Sequence, residues 1–134
     1  MNIRVIQWQD ALPIRHKVLW PSKPALFCKV EDDELAQHYG VYIDDKLVSV
    51  ASIYIDDNRA RLRKFATLSE FQGQGFGSYL LTHIFNNLKE KKVTHFWCDA
   101  RVESCGFYTK LGMKTKGEQF YKSDLPYIIM ERFL

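Results

Sequence analysis

The chain has 134 residues, of which 46% are hydrophobic and 26% charged, a composition typical of a globular protein with a packed core. This length fits one domain, residues 1–134, and leaves no room for a second. The formal net charge of +3 arises from cations scattered along the sequence. Nucleic-acid binding therefore gains little support, while a small anionic ligand is compatible with the pattern.

No segment of the sequence predicts a membrane span or an export signal. The longest uncharged apolar run, residues 47–55, has nine residues, whereas a membrane-spanning helix needs about 20. The N-terminus has no apolar stretch of signal-peptide length, so we expect a cytoplasmic protein that does not engage membranes. Cys28, Cys98 and Cys105 form no CxxC pair, which predicts buried reduced thiols and neither a disulfide nor a metal site.

The first predicted elements are a strand and a helix. Residues 2–6 favour a short strand, and residues 10–20 favour a helix with Pro13 in its first turn, where the missing N–H costs little. Arg15 lies on this helix. We expect its side chain at the surface, with the binding of a substrate carboxylate as the alternative.

Three strands are predicted after an acidic segment. Residues 27–38 include four consecutive acidic residues, and the pattern fits either a loop or a short helix. The β-rich runs at residues 41–43 and 47–55 flank the short turn 44–46 and predict a hairpin. Residues 60–68 predict a third strand.

One residue breaks the alternation of this third strand. Lys64 falls on the same face as the apolar residues Ala60, Leu62, Ala66 and Leu68. A β-bulge near Lys64 and Phe65 would turn the lysine away from that face. A lysine at a solvated edge of a regular strand explains the pattern equally well.

The rest of the sequence predicts two helices and three strands. Apolar residues recur at helical spacing in residues 77–91, which predicts an amphipathic helix that ends in cations. Residues 93–98 predict a strand, and residues 104–111 predict a helix stopped by Gly112. Two strands around residues 122–126 close the chain. The order of elements indicates an α+β protein with a mixed sheet.

A glycine-rich loop, residues 72–78, lies between the third strand and the amphipathic helix. Its sequence is Gln-Gly-Gln-Gly-Phe-Gly-Ser. Glycines let backbone N–H groups approach a ligand closely, and unpaired N–H groups at a helix N-terminus favour phosphate. The loop therefore predicts an anion site.

Two known phosphate-binding patterns fit this loop poorly. The P-loop pattern GxxxxGK[ST] is absent. The dinucleotide pattern GxGxxG matches Gly73 and Gly75, and Asp99 stands about where a ribose-binding acid would lie, but Ser78 occupies the third glycine position. The chain that follows is also too short for a doubly wound sheet.

A third pattern, [Q/R]xxGxG/A, matches Gln72, Gly75 and Gly77. With this match the loop resembles the coenzyme A motif of the GNAT superfamily of acyltransferases. Downstream, residues 101–113 contain Phe-Tyr-Thr-Lys-Leu-Gly-Met, which is similar to that family's second motif, usually written around FYxKxGF. The two motifs cover residues 60–113, and the C-terminal tail resembles a subgroup of small bacterial members without assigned substrates.

The resemblance implies one acyl-CoA N-acyltransferase domain, with a mixed, mainly antiparallel sheet flanked by helices and with splayed central strands. It implies N-acetyl transfer from acetyl-CoA, the co-substrate, to a primary amine of a small molecule or peptide by direct attack. The alternative is a non-catalytic acyl-CoA-binding or sensing module. The motifs do not fix the acceptor, the strictness for acetyl groups or the oligomeric state, and a homodimer is compatible with them.

The resemblance also implies roles for individual residues. Tyr108 would donate a proton to the departing thiolate, since a phenol is protonated at neutral pH. The backbone N–H of Phe65 would face the thioester oxygen as charge develops on it. The implied cofactor-binding residues are Phe65, Ala66, Thr67, Gln72, Gly73, Gln74, Gly75, Phe76, Gly77, Ser78, Arg101, Ser104, Phe107 and Tyr108.

The sequence departs from the family pattern at Arg101, where asparagine is common, and at Ser104, where alanine is common. Arg101 is therefore open to a different role, such as holding a carboxylate. The acceptor arrives as an ammonium and must lose a proton to a carboxylate, a histidine or a water chain before it attacks. The candidates for this base are Glu31, Glu34 and His38, and a solvated acidic loop is the competing interpretation.

Overall fold

Seven strands form one sheet in a computed structural model, which describes residues 1–134. The strands are β1 (Asn2–Ile6), β2 (Gln37–Ile43), β3 (Lys46–Asp56), β4 (Arg59–Thr67), β5 (His95–Arg101), β6 (Lys114–Lys122) and β7 (Leu125–Phe133). Their order across the sheet is β1-β2-β3-β4-β5-β7-β6, and every neighbouring pair is antiparallel except β4 and β5. The predicted α+β class with a mixed, mainly antiparallel sheet is confirmed.

Helices cover both faces of the sheet. They are α1 (Trp8–Leu19), α2 (Phe76–Glu90) and α3 (Cys105–Lys110). Helix α2 buries an apolar stripe at helical spacing against one face, formed by Leu80, Leu81, Ile84, Phe85 and Leu88. Helix α1 packs on the opposite face in a smaller cluster, formed by Ala11, Ile14, Val50, Ala66 and Leu68. None of the helices combines the length and the hydropathy that crossing a membrane requires.

The N-terminal elements differ from the predicted bounds. Helix α1 begins at Trp8, so Pro13 lies in its second turn and not in the first. The Gln7 N–H donates to the Asp10 carboxylate at 3.1 Å, which pairs one backbone donor at the start of the helix. The acidic segment combines both expected forms, because 3₁₀ turns at Ala25–Cys28 and Asp33–Leu35 are joined by irregular chain before β2 begins.

The predicted hairpin of β2 and β3 is confirmed, and the two C-terminal strands, β6 and β7, form a second hairpin. Asp44 and Asp45 connect β2 to β3 with φ of 48° and 68°. Ser123 and Asp124 connect β6 to β7 with φ of 48° and 66°. Positive φ at both central residues matches the right-handed twist of the paired strands, which is why such two-residue turns close hairpins.

The central strands β4 and β5 separate part-way along their length. They pair in parallel only from Arg59 opposite His95 to Leu62 opposite Cys98, and each then continues with a partner on its other side alone. The predicted splay is confirmed. The β-bulge interpretation is also confirmed, because Lys64 and Phe65 together oppose one residue of β3, and Lys64 has a φ of 54°.

Candidate active site

A cavity of about 1040 Å³ opens where β4 and β5 separate. Its walls come from the end of α1, the chain after the first 3₁₀ turn, β4, the start of α2, the end of β5, α3 and the β6–β7 turn. All the cofactor-binding residues expected from the sequence line this cavity except Gln74. They are Phe65, Ala66, Thr67, Gln72, Gly73, Gly75, Phe76, Gly77, Ser78, Arg101, Ser104, Phe107 and Tyr108.

The glycine loop, residues 72–78, presents a row of unpaired backbone donors. The N–H of Tyr79 bonds to the Gly75 carbonyl at 3.0 Å. The N–H groups of residues 73–78 donate to no backbone acceptor, and no side chain caps α2. Six consecutive free donors at the positive end of a helix fit a pyrophosphate, so the residues present suit the phosphate end of coenzyme A.

The shape of the glycine loop is fixed by its own residues. Gly73 and Gly75 have φ of 72° and 88°, in the left-handed region that favours glycine, and a Cβ at either position would meet no atom within 4 Å. Gln72 Nε2 donates to the Thr67 carbonyl at 2.9 Å, and Gln74 Nε2 donates to the Glu70 carbonyl at 2.9 Å. The second of these bonds explains why the Gln74 side chain does not line the cavity.

Three aromatic residues form a wall between the glycine loop and the splayed strands. The rings of Phe65 and Phe107 stack with their centroids 5.7 Å apart. The ring of Tyr108 lies 6.4 Å from that of Phe65 and 5.2 Å from that of Phe107. These contacts hold the position of Tyr108 at the cavity through packing on two elements, β4 and α3.

Tyr108 and Cys98 are both held in their protonated forms. Burial raises the pKa of Tyr108 above its ordinary value, and the neighbouring Cys98 thiol adds to the shift. Burial, together with the Asp99 carboxylate, raises the pKa of Cys98 to about 12. At neutral pH the phenol therefore carries its proton, while the Cys98 thiol is not the thiolate that nucleophilic chemistry requires.

Comparison with known sequences identifies the family. The model of the acetyltransferase (GNAT) domain matches residues 22–134. The uncharacterized N-acetyltransferase YitI of Bacillus subtilis is 36% identical over 94% of this chain and 89% of its own length. The chain belongs to the GNAT family of acetyltransferases. GNAT acetyltransferases use acetyl-CoA, which is therefore the co-substrate of this enzyme.

Solved structures show the same fold. The ribosomal-protein-S18-alanine N-acetyltransferase of Escherichia coli superposes with a TM-score of 0.82 at 19% identity, over 98% of this chain and 92% of its own. An acetyltransferase of Bacillus subtilis in complex with coenzyme A superposes with a TM-score of 0.77 at 14% identity, over 99% of this chain and 98% of its own. At these identities the likeness establishes the architecture.

The departures from the GNAT pattern lie at the cavity. Arg101 donates to the Leu19 carbonyl at 3.3 Å and to the Tyr127 hydroxyl at 3.4 Å, and its guanidinium lies 5.6 Å from the centre of the Trp20 ring. It forms no ion pair with a carboxylate. Arg101 therefore joins the end of β5 to α1 and β7 while its charge is left unbalanced.

One acidic side chain at the cavity, that of Asp99, is held between two cations. Its Oδ2 accepts from Arg61 Nη2 at 2.7 Å and from Lys122 Nζ at 2.7 Å. Both hydrogen bonds are charge-assisted and are therefore stronger than bonds from neutral donors. Asp99 is thus already neutralised by the protein. No group of three or more His, Cys, Asp or Glu side chains lies together in a way that could hold a metal ion.

The three candidates for the general base do not line the cavity. Glu31 and Glu34 are exposed, and Glu34 pairs with Lys29 at 3.0 Å. His38 is buried, with Nε2 donating to the Asp33 carbonyl and Nδ1 accepting from the Ser52 hydroxyl, both at 2.7 Å. Both ring nitrogens are engaged, so the structure gives His38 no free site for a proton from an amine.

Arg15 was expected at the surface, and this is wrong. Its side chain is fully buried and pairs with Asp33 through two bonds, Nη1 to Oδ2 at 2.8 Å and Nη2 to Oδ1 at 3.0 Å. Arg15 Nη2 also donates to Ser52 Oγ at 2.8 Å, and Tyr54 donates to Asp33 Oδ1 at 2.6 Å. The carboxylate that Arg15 binds thus belongs to the protein, and the pair fixes the irregular chain after α1 to the sheet.

The sequence contained a signal for this buried pair. Arg15 follows Ala11 and Ile14 at helical spacing, so it stands on the apolar stripe of α1 and not on the polar side. A charged residue on such a stripe is buried only with a partner. No sequence rule identifies Asp33 among four consecutive acidic residues as that partner.

Proposed function

We propose that the protein transfers the acetyl group of acetyl-CoA to a primary amine of a small molecule or peptide by direct attack of the amine on the thioester. The observation that carries this proposal is the row of free N–H groups at residues 73–78, which opens into a cavity lined by Tyr108. The protonated, buried Cys98 gives no support to a covalent enzyme intermediate. The free thiols also suit a reducing, cytoplasmic location.

We assign Tyr108 as the general acid. Acetyl transfer releases coenzyme A as a thiolate, which leaves more readily if a proton is delivered to the sulfur. Tyr108 lines the cavity, is 8% exposed and keeps its proton because its pKa is raised. Donation leaves a phenolate on Tyr108, which regains a proton through water before the next turnover.

We assign the backbone N–H of Phe65 as the donor to the thioester oxygen. Phe65 is the second residue of the bulge on β4, beyond the point where β5 stops pairing with that strand. A backbone donor in a preorganised position stabilises developing negative charge without reorganisation. The rest of β4, as far as Thr67, has a free edge on the β5 side, with which the pantetheine arm can pair.

The acceptor loses its proton to water under this proposal. None of Glu31, Glu34 and His38 lines the cavity, and the Asp99 carboxylate is held by two cations. Of the routes expected from the sequence, a chain of water molecules is the one that needs no protein base. The cavity is open enough to admit it, since its volume of about 1040 Å³ exceeds the share of one water many times over.

The proposal is tested by thermal denaturation with cofactor analogues and by thiol release with amines. Acetyl-CoA and desulfo-coenzyme A should stabilise the protein by about 2.7 kcal/mol at 100 times their Kd, and NAD at the same concentration should not. Release of coenzyme A thiol in the presence of an amine panel then separates an enzyme from a sensing module. Binding without turnover of any amine would favour the sensing module, and equal stabilisation by NAD would favour a dinucleotide site.

A further inference from the structure

The end of the cavity away from the glycine loop is strongly cationic. The glycine loop follows the C-terminal end of β4. The cations lie earlier on β4, at or before its bulge, and on the elements that face this part of the strand. These cations are Lys29, Arg61, Arg63, Lys64, Arg101 and Lys122. The acidic side chains that line the whole cavity are Asp99 and Glu103. Because Arg61 and Lys122 already bind Asp99, that carboxylate does not offset the other cations.

Like Arg101, the neighbouring residues Arg63 and Lys64 have no anionic partner in the protein. Both are half-buried, and neither forms a hydrogen bond or an ion pair with another side chain. The guanidinium of Arg63 lies 5.8 Å from the centre of the Tyr54 ring. Arg63 and Lys64 are neighbours on β4, burial lowers the pKa of Lys64, and repulsion from Arg63 lowers it further.

Backbone strain places Lys64 in this position. A φ of 54° is uncommon for a residue with a side chain, and it is imposed by the bulge that turns Lys64 off the apolar face of β4. Half-buried cations lose part of their hydration, and they gain charge-assisted hydrogen bonds when an anion arrives. An arginine beside a lysine offers a planar fork and a point charge to one such group.

We propose that the acceptor is an amine that also carries an anionic group, a carboxylate or a phosphate, and that Arg63 and Lys64 bind this group at the cationic end of the cavity. This inference rests on the proposed function, which it narrows to anionic amines. It disfavours polyamines and other amines with several positive charges, because the cavity offers them no unpaired carboxylate beyond Glu103. Amino acids and phosphorylated amines are the classes of compound that combine an amine with such an anionic group.

The experiment measures thermal stabilisation of the complex with desulfo-coenzyme A, in which the glycine loop is occupied. The probes are matched pairs at equal ionic strength: β-alanine against propylamine, and O-phosphoethanolamine against ethanolamine, with putrescine as a dication. We expect each amine that carries an anionic group to bind about 10- to 100-fold more tightly than the matched amine without that group. A response to β-alanine alone indicates a carboxylate acceptor, and a response to O-phosphoethanolamine alone indicates a phosphate acceptor.

Variants separate this subsite from general charge effects. Arg63→Gln with Lys64→Asn removes both cations, and asparagine tolerates the positive φ. We expect this double variant to lose the preference for anionic amines while it keeps its stabilisation by desulfo-coenzyme A. Arg59→Gln removes a cation of the same strand outside the cavity and should keep the preference.

Three results would overturn the inference: no stabilisation by either anionic amine, equal or greater stabilisation by putrescine, or an anion preference that persists in the double variant. Failure of the proposed function gives a different result, since desulfo-coenzyme A itself would then not stabilise the protein. Anion binding by the protein without desulfo-coenzyme A would in that case still identify the subsite.

Discussion

A Cβ placed on Gly77 would lie 2.9 Å from Phe65 Cζ and 3.4 Å from Phe107 Cζ. Gly77 lies in the first turn of α2, and the two rings stack on each other at the splayed strands. The glycine therefore lets the end of the helix that carries the free N–H groups approach the aromatic wall directly. This contact joins the anion site to the strand that holds the bulge.

Replacement of this glycine should destabilise the protein. Alanine normally stabilises a helix by about 1 kcal/mol relative to glycine, but a contact of 2.9 Å forces the stacked rings to move, which costs roughly 1–3 kcal/mol. We expect Gly77→Ala to lower the free energy of unfolding by about 1 kcal/mol and to weaken coenzyme A binding, as measured by denaturant titration and calorimetry. Gly106→Ala is the control, because a Cβ at this helical position meets no atom within 4 Å. A Gly77→Ala protein as stable as the control would contradict the packing described.

Loss of the Arg15–Asp33 pair should be costly. Both side chains are fully buried, and Asp33→Asn leaves the Arg15 charge without its partner. Breaking such a pair typically costs about 3–5 kcal/mol, and we expect a loss near the lower figure because asparagine keeps one acceptor. Glu34→Gln changes an exposed acid of the same 3₁₀ turn and should cost less than about 1 kcal/mol. Equal losses for the two variants in urea denaturation would argue against a buried role for Asp33.

The same carboxylate should make stability depend on pH in the acid range. Burial alone would raise the pKa of Asp33, but hydrogen bonds from Arg15, Tyr54 and the Val30 N–H outweigh it and hold the pKa at about 2. A folded-state pKa below the unfolded value of 3.8 contributes about 2 kcal/mol above pH 4 and loses it as the pH falls through 2. The difference in unfolding free energy between wild type and Asp33→Asn should therefore shrink from pH 5 towards pH 2. A constant difference would show that Asp33 is not the titrating group.

Tyr108→Phe should separate binding from chemistry. Phenylalanine keeps the ring and its contacts with Phe65 and Phe107, so coenzyme A affinity should stay near that of wild type. Without the hydroxyl, the single-turnover rate of acetyl transfer should fall by about 10²- to 10⁴-fold. Tyr79→Phe, which alters an exposed tyrosine outside the cavity, should leave that rate unchanged. A wild-type rate for Tyr108→Phe would remove the acid assignment, and a loss of affinity alone would make Tyr108 a binding residue.

Local patterns in the sequence were enough to predict most of the fold. The alternation of β4, broken at Lys64, offered the bulge as one of two interpretations, and the helical spacing of apolar residues predicted α2. The bounds of β2 were less accurate, because its first residues continue the acidic segment and owe their strand pairing to β1 and β3, which sequence periodicity does not report.

The acceptor end of the site was harder to predict than the coenzyme A end. The glycine loop offers consecutive backbone groups to a ligand, so its residues are contiguous in the sequence. The proposed acceptor end instead combines Arg63 and Lys64 of β4 with Lys29 and Arg101 from other parts of the chain. Their proximity follows from the splay of β4 and β5. His38 was a candidate base in the sequence, but its Nε2 is engaged by the Asp33 carbonyl, a partner that no motif specifies.

The position of the pyrophosphate is tested most directly by calorimetric titration of coenzyme A into wild type, Gly75→Asn and Gly75→Asp. Gly75 has a φ of 88° with no atom within 4 Å of an added Cβ, and asparagine and aspartate both tolerate positive φ. The two variants therefore differ mainly in one negative charge placed beside the free N–H groups of residues 73–78. We expect Gly75→Asn to retain measurable affinity and Gly75→Asp to bind about 10- to 100-fold more weakly than Gly75→Asn. Equal affinities for the two folded variants would place the pyrophosphate elsewhere and contradict an acetyl-CoA site at this loop.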